Sequence, residues 1–256
     1  MMKKPLILIV NDDGITTPGI RRLIDIMNNL GDVVVVAPDK PQSGKSHSIS
    51  LNTVIRCSPF VFDNGPQKEY ACSGTPVDCV KLAFNKILHR KPDLCVSGIN
   101  HGSNSSINVV YSGTMSAAIE ASISGVPSIG FSLLDYSIDA DFSECSNFIS
   151  DISLSVLKSG LPEGVSLNVN IPKSVRNKSI KGIKICKQSK AKWIEEFDER
   201  EDPFGRKYYW LTGDFVDLDS SKDTDEYALK NHYISIVPIK FDLTSYESIS
   251  EIKTII

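Results

Sequence analysis

Two short runs, residues 6–10 and 32–37, are apolar at consecutive positions with no polar alternation once Asp32 has opened the second. A strand of that kind has both faces covered, which is the habit of a parallel sheet packed between helices rather than of a sheet with one wet face. Between the runs, Ile20, Leu23, Ile24 and Met27 recur at helical spacing, Pro18 sits in the first turn after Thr17, and Gly31 stops the stretch. Residues 6–37 therefore read as one βαβ unit, whose crossover is expected to be right-handed. A Ser/Gly-rich loop follows over 38–50, then an extended excursion over 51–56 and 59–62. A helix begins at Thr75, with Pro76 at its first position and Asp78 at its third, and runs to about His89. The spacing then predicts strands over 94–97, 126–131 and 165–171, the last alternating in polarity, with helices over 114–124 and 142–157. The expectation is an α/β fold: a Rossmann-like, doubly wound, mostly parallel sheet forming a catalytic core over residues 1–175.

After about residue 175 the pattern changes. Residues 180–186 are strand-like, whereas 187–223 are charged and aromatic without helical periodicity, which predicts a β-rich arm over about 187–230. Residues 233–238 and the tail 249–256 supply late apolar segments, the tail reading equally as a short helix or an edge strand. Residues 176–256 are thus expected to form a C-terminal extension with an oligomerisation arm and closing segments. Trp193, Phe197, Phe204, Tyr208, Tyr209 and Trp210 are aromatic anchors of the kind found at interfaces, although packing on their own core accounts for them as well.

The charge balance, 28 Lys and Arg against 31 Asp and Glu, excludes a basic wrapper of nucleic acid. The longest apolar runs fall far short of the roughly 18 residues a membrane span needs. The N-terminus lacks a small-residue cleavage site, so a cytoplasmic location without membrane attachment is expected. Cys57, Cys72, Cys79, Cys95, Cys145 and Cys186 contain no C-x-x-C pair and read as small apolar filler kept as thiols in a reducing compartment.

In an open parallel sheet, ligands collect at the carboxyl ends of the strands. The first strand ends in Asn11-Asp12-Asp13-Gly14. Adjacent carboxylates repel unless a cation holds them, and hard oxygen ligands suit Mg2+ or Mn2+; a plain turn leading to a cap at Thr17 accounts for the pair equally well. The second strand runs through Ala37-Pro38-Asp39 into a loop carrying Ser43, Gly44, Lys45, Ser46 and His47. Gly44-Lys45-Ser46 imitates the end of a P-loop, but Asp39 stands where that motif needs glycine and no helical pattern follows. The strand over 94–97 leads into Gly98, Asn100, His101, Gly102 and Asn104, and Tyr111-Ser112-Gly113-Thr114 opens a helix whose free N–H groups make an anion site as well as a plain N-cap. Three strand ends and one helix start thus converge as a carboxylate pair, a hydroxyl loop, an amide loop and a phosphate cradle.

In that order, six blocks resemble the signature of the SurE survival protein family. They are Asn11-Asp12-Asp13-Gly14; Ala37-Pro38-Asp39 with Ser43-Gly44 and His47-Ser48-Ile49; Ser73-Gly74-Thr75-Pro76 with Asp78-Cys79; Ser97-Gly98-Ile99-Asn100 with Gly102 and Asn104; Tyr111-Ser112-Gly113-Thr114 with Ala117-Ala118 and Glu120; and Thr224-Asp225 with Tyr233-Ile234-Ser235-Ile236 and Pro238. The resemblance spans nearly the whole chain. It implies a divalent-metal-dependent phosphatase acting on nucleoside 5′- and 3′-monophosphates, often also on short polyphosphate, with a C-terminal arm exchanged between subunits of a homodimer or homotetramer. It further implies one Mg2+ or Mn2+ per subunit held by Asp12, Asp13, Ser43 and Asn100, with Asp12, Asp13 and Asn100 catalytic. Asn11, Asn104, Ser112, Gly113 and Thr114 would surround the phosphate. Asn108 stands where the family commonly has Asp, Ser105-Ser106 replaces Leu-Gly, and Ala121 replaces Gly; these departures bear on the 104–108 loop and leave the metal set complete.

Phosphomonoester hydrolysis has a very high uncatalysed barrier, and charge on the transferring oxygens is best met by a metal and preorganised donors. The expected route is attack by a metal-acidified water with the Gly113 and Thr114 N–H groups on the other oxygens; attack by one aspartate, giving an aspartyl-phosphate, is the other route. His47 and His101 lie in candidate loops and could protonate the leaving alkoxide, or neither does, while His89 and His232 read as structural and Lys45 as a solvated loop charge. A haloacid-dehalogenase-type phosphatase needs acids separated by one residue, whereas Asp12 and Asp13 are adjacent. The non-catalytic alternative is a nucleotide-binding regulatory Rossmann module using the same crevice, which gives no reason for four convergent oxygen ligands.

Overall fold

The protein is described from a computed structural model over residues 4–137, 139–173 and 179–256. The boundary expected at residue 175 lies outside the described residues. Along the chain run β1 (Leu6–Val10), α1 (Pro18–Asn28), β2 (Asp32–Pro38), β3 (Cys57–Phe60), β4 (Lys68–Cys72), α2 (Pro76–Leu82), β5 (Leu94–His101), α3 (Asn108–Tyr111), α4 (Gly113–Ile123), β6 (Ser128–Leu133), α5 (Ser146–Ser159) and β7 (Val165–Ile171). They are followed by β8 (Ile183–Ile185), β9 (Lys192–Glu201), β10 (Lys207–Val216), α6 (Asp225–Lys230), β11 (Ile234–Lys240) and α7 (Ile249–Ile255).

Nine strands form one sheet in the order β3-β4-β2-β1-β5-β6-β7-β11-β8. The run from β4 to β7 is parallel throughout, β3 and β11 pair antiparallel with β4 and β7, and β8 lies parallel to β11. The unalternating sequence of β1 has its expected consequence. Ile7 and Ile9 join a core with Leu23, Ile24 and Met27 of α1 and Ile149 of α5, while Leu6, Leu8 and Val10 join a second core with Val80 of α2 and Ala117 of α4. Each fully buried Leu or Ile in these layers contributes about 1.5–3 kcal/mol. Cys72, Cys79 and Cys95 fill the second core and Cys145 the first, and all six cysteines are free thiols.

The structure differs from the sequence expectation where local chemistry masks the pattern. β4 was not anticipated because Lys68 and Glu69 interrupt its apolar character; Glu69 is nevertheless buried, since Arg21 of α1 grips it in a two-pronged ion pair of 2.9 and 2.7 Å. The helix from Thr75 keeps its capping box with Asp78 but passes after Leu82 into a π-helical turn, Ala83–Ile87. β5 continues four residues beyond Ser97, its register to β6 shifting between Ser97 and Asn100 where Gly98 takes φ +124°. β6 begins later than residue 126, and α5 begins at Ser146 rather than 142.

Two strands of the C-terminal segment, β8 and β11, join the sheet of the preceding residues. The arm itself is a hairpin in which β9 and β10 pair antiparallel over ten residues each. Its turn is tied by the Asp202 carboxylate, which accepts the N–H groups of Phe204 at 2.8 Å and Arg206 at 3.0 Å. The tail folds as the short exposed helix α7. Among the described residues no helix is long and apolar enough to cross a membrane.

Candidate functional site

From β1 the chain order moves outward through β2 and β4 on one side and through β5, β6 and β7 on the other. The reversal lies between β1 and β5, and a crevice opens there at the carboxyl edge. Asn11 holds its floor. Its amide nitrogen donates to the Gly14 carbonyl at 2.9 Å and to Thr17 Oγ1 at 3.2 Å, and its oxygen accepts the Gly14 N–H at 3.3 Å. Asn11, placed above among the phosphate contacts, thus spends its side chain locking the turn that presents Asp12 and Asp13. The loop after β2 is tied to the same turn, the Gln42 N–H donating to the Asp12 carbonyl at 2.7 Å.

Asp12 is buried, 3% exposed, against the first turn of α4. Ser112 caps that helix by accepting the Met115 N–H at 3.0 Å, and Thr114 donates both its hydroxyl and its backbone N–H to the Asp12 carboxylate. Burial above all, and then the Asp13 charge, push the Asp12 carboxyl up to about 6 in spite of those donors. Gly113 makes the approach possible: a Cβ there would lie 2.7 Å from the Asp12 Cβ. Asp13 turns toward β5, its Oδ2 lying 3.3 Å from both the N–H and the Nδ1 of His101, whose ring packs edge-on against Phe142. Asn100 donates its amide nitrogen to the carbonyls of His101 (3.1 Å) and Gly102 (2.9 Å), which turns its oxygen away from them.

Asn104 is fixed at three points. Its N–H reaches Asn170 Oδ1 at 2.8 Å, its carbonyl accepts from Asn168 at 2.8 Å, and its own amide donates to Ser132 Oγ at 2.8 Å. The alternating polarity of residues 165–171 was the legible trace of this ladder: Asn168 and Asn170 are buried strand amides facing the site rather than water. Beyond it, the buried Asp225 at the start of α6 accepts N–H groups from Ser106 (2.7 Å), Ser189 (2.9 Å) and Glu226 (2.8 Å), pinning the 104–108 loop to the base of the arm.

Together these elements enclose an open cavity of about 210 Å3 lined by Asp12, Ser43, Asn100, Asn104 and Ser112 among the expected residues, and also by His101, Tyr111, Tyr136 and Trp193. Asp13, Gly113 and Thr114 are not in this lining, though Asp13 lies beside His101 and Thr114 bonds to Asp12, both of which are. The two candidate acids separate. His101 lines the cavity, whereas His47 bonds at 2.9 Å to Glu120, which Lys81 also holds at 2.5 Å. Burial works against the Glu120 charge, but these two partners outweigh it and hold the carboxyl below its ordinary range. Lys45 is exposed and does not line the cavity. Sequence reasoning missed the aromatic rim: Tyr111 stood in a signature block but was given no role, Tyr136 carried no motif, and Trp193 read as an interface anchor.

A cation fits this donor set. The lining contains no Lys or Arg, while it brings the Asp12 carboxylate together with the Ser43 hydroxyl and the Asn100 amide, oxygen donors suited to a hard divalent ion, and Asp13 follows Asp12 in the same turn. Among the described residues there is no group of three or more His, Cys, Asp and Glu arranged to hold a metal, so neutral oxygens must complete any shell.

Residues 7–195 match the sequence model of the family described as Survival protein SurE. A protein named 5′-nucleotidase SurE from Christiangramia forsetii is 61% identical over 253 residues, spanning 98% of this chain and 97% of that one. One of the same name from Flavobacterium psychrophilum is 60% identical over 248 residues, spanning 97% and 96%. The crystal structure of the SurE protein from Aquifex aeolicus, 40% identical, superposes with a TM-score of 0.83 over 98% of this chain and 99% of that one. With residues 7–195 matching the family model and relatives about 60% identical over nearly its whole length, the chain belongs to the SurE family.

Proposed function

We propose that this chain is a 5′-nucleotidase that hydrolyses nucleoside 5′- and 3′-monophosphates to nucleoside and phosphate with the help of one Mg2+ or Mn2+, short polyphosphate being a further substrate. The observation that carries the reading is the charge of the crevice: the Asp12 carboxylate at the N-terminus of α4, Asp13 next to it and turned to His101, and no lysine or arginine in the lining. A phosphate dianion would be repelled there unless a cation held by Asp12, Asp13, Ser43 and Asn100 came between. When bound, such an ion supplies positive charge to the phosphoryl oxygens and acidifies a water. The name borne by the relatives, 5′-nucleotidase SurE, supports the reaction.

The chain's own residues divide the remaining work. Thr114 fixes the Asp12 carboxylate from the start of α4, and Asn11 fixes the turn. Ser112, Gly113 and the tethered Asn104 offer donors at the side where the phosphate oxygens would rest. His101, with Nδ1 at the Asp13 carboxylate, lies where Nε2 would pass a proton to the leaving alkoxide. Either water or an aspartate attacks; trapping with a metal fluoride, or solvent-oxygen exchange in a single turnover, separates the two routes.

The deciding assay is phosphate release from AMP, GMP and their 3′ isomers after chelator treatment and with Mg2+ or Mn2+ restored. Release that depends on the metal is expected; tight nucleotide binding without release would favour the regulatory binding module. The same proposal includes a homodimer or homotetramer built through the arm. Phe197, Phe204, Trp210 and Leu211 are 67, 83, 59 and 62% exposed, a liability in a lone chain. Deleting residues 188–215 and measuring the mass in solution tests the assembly. A cytoplasmic location belongs with these readings, six free thiols being stable in a reducing compartment.

A further inference from the structure

The crevice that ends at Asp12 opens between three aromatic side chains drawn from separate parts of the chain. Tyr111 closes α3, Tyr136 follows β6, and Trp193 opens the arm; they are 50, 74 and 41% exposed. Each is held in place. The Trp193 indole N–H donates to Asn108 Oδ1 at 2.8 Å, and its ring centroid lies 5.3 Å from that of Phe215 on the opposite strand of the hairpin. The Tyr136 hydroxyl accepts the Ser103 N–H at 3.3 Å while its ring covers Gly102, where a Cβ would come within 2.1 Å of the ring edge. The carbonyl of Tyr111 accepts the Ser46 N–H at 3.3 Å.

The size of the cavity then matters. At about 210 Å3 it falls below the roughly 300–1,000 Å3 of pockets that enclose a whole small ligand. A phosphate and a sugar at its floor leave the flat part of a nucleotide at the rim, which is where these rings stand. The rim carries no Lys or Arg, so what it offers is π faces and neutral amides. Stacking on such faces tolerates any base and strengthens binding by about five- to a hundredfold per base.

Resting on the nucleotidase reading above, we propose that Trp193, positioned by Asn108 and Phe215 and flanked by Tyr111 and Tyr136, is the nucleobase-stacking residue of this site. The hairpin arm then contributes to substrate recognition through its first aromatic residue. Purine monophosphates, with the larger stacking area, are preferred to pyrimidine ones, and a phosphorylated sugar lacking a base is a poor substrate.

Two measurements test this on the full-length chain. In the first, the ratio of kcat/KM for AMP to that for ribose 5-phosphate falls about tenfold or more in Trp193→Ala, through KM for AMP, and Trp193→Phe restores most of it; an unchanged ratio would overturn the proposal. In the second, Trp210→Phe leaves Trp193 as the one indole of a chain that has two tryptophans, and adenosine quenches its fluorescence while ribose does not. That titration needs neither phosphate nor metal. If no substrate releases phosphate but adenosine still quenches, the nucleotidase reading fails and the base site stands; if AMP is hydrolysed and adenosine leaves the fluorescence unchanged, the base site fails alone.

Discussion

Replacing Asp12 by Asn should stabilise the metal-free protein while abolishing its activity. The side chain is 3% exposed and its carboxyl is pushed from an ordinary 3.8 to about 6, mainly by burial and then by Asp13. A rise of about two units, at about 1.36 kcal/mol each, makes the buried charge cost about 3 kcal/mol of folding stability. The sign follows from the raised value. Well below 3.8 the carboxyl is neutral in both the folded and the unfolded chain and nothing is lost; stability then declines as pH rises from about 3.8 to about 6 and levels off above it. Asn keeps the Oδ1 that accepts from Thr114 and carries no charge, so its advantage should be about 1 kcal/mol at pH 4.5, grow up to about pH 6, and level off at about 2–3 kcal/mol by pH 7.5. Urea unfolding in the presence of chelator at these pH values measures it. Mg2+ at about a thousand times its Kd should reverse the order, since it stabilises the native wild type by about 4.1 kcal/mol and the variant hardly at all. An Asn variant no more stable than wild type at pH 7.5, or one whose advantage does not change with pH, would refute the assignment of Asp12 as a buried charge awaiting a cation.

Gly113→Ala should cut phosphate release at least tenfold and weaken metal binding, because the new Cβ would press on Asp12 from 2.7 Å; overpacking of this kind also lowers stability by about 1–3 kcal/mol, read as the urea midpoint. His101→Gln should lower kcat by about 10²–10⁴-fold, whereas His47→Gln, whose partner Glu120 keeps Lys81, should leave kcat within about threefold of wild type; equal effects in a steady-state assay would overturn the separation of the two histidines. Asp225→Ala strands three buried N–H groups, those of Ser106, Ser189 and Glu226, and should cost about 3 kcal/mol or more in thermal unfolding while loosening the 104–108 loop. Metal affinity itself should fall as pH drops below about 6, one proton competing at Asp12, and calorimetry across that range would show the proton released on binding.

Apolar continuity made β1 and β2 legible, and the capping box at Thr75 and Asp78 made the start of α2 legible, because each signal is local and lies in the residues that form the element. β4 was invisible because its buried charge is satisfied by Arg21 of α1, 48 positions away, and no local pattern reports such a partner. The length of β5 was hidden by Gly98, which reads as a stop but here carries the strand onward to Asn100 and His101. Asp12, Ser43, Asn100, Asn104 and Ser112 were all marked by their position after strands or before a helix, and they do meet around one cavity. What their identities could not convey was the direction of each side chain. Asn11 faces back into its own turn, His47 pairs with Glu120 rather than with the crevice, and Trp193 bonds to Asn108, 85 positions earlier.

Asn104 is anchored through its amide proton, its carbonyl and its side chain to residues of two core strands, while the rings at the mouth of the crevice sit at the end of a one-turn helix, on a loop and on the hairpin. One end of the pocket is therefore machined and the other upholstered. A scaffold divided in this way can change its taste in nucleosides by exchanging side chains at the entrance, while the chemistry at the bottom, riveted to the sheet, stays the same from one substrate to the next.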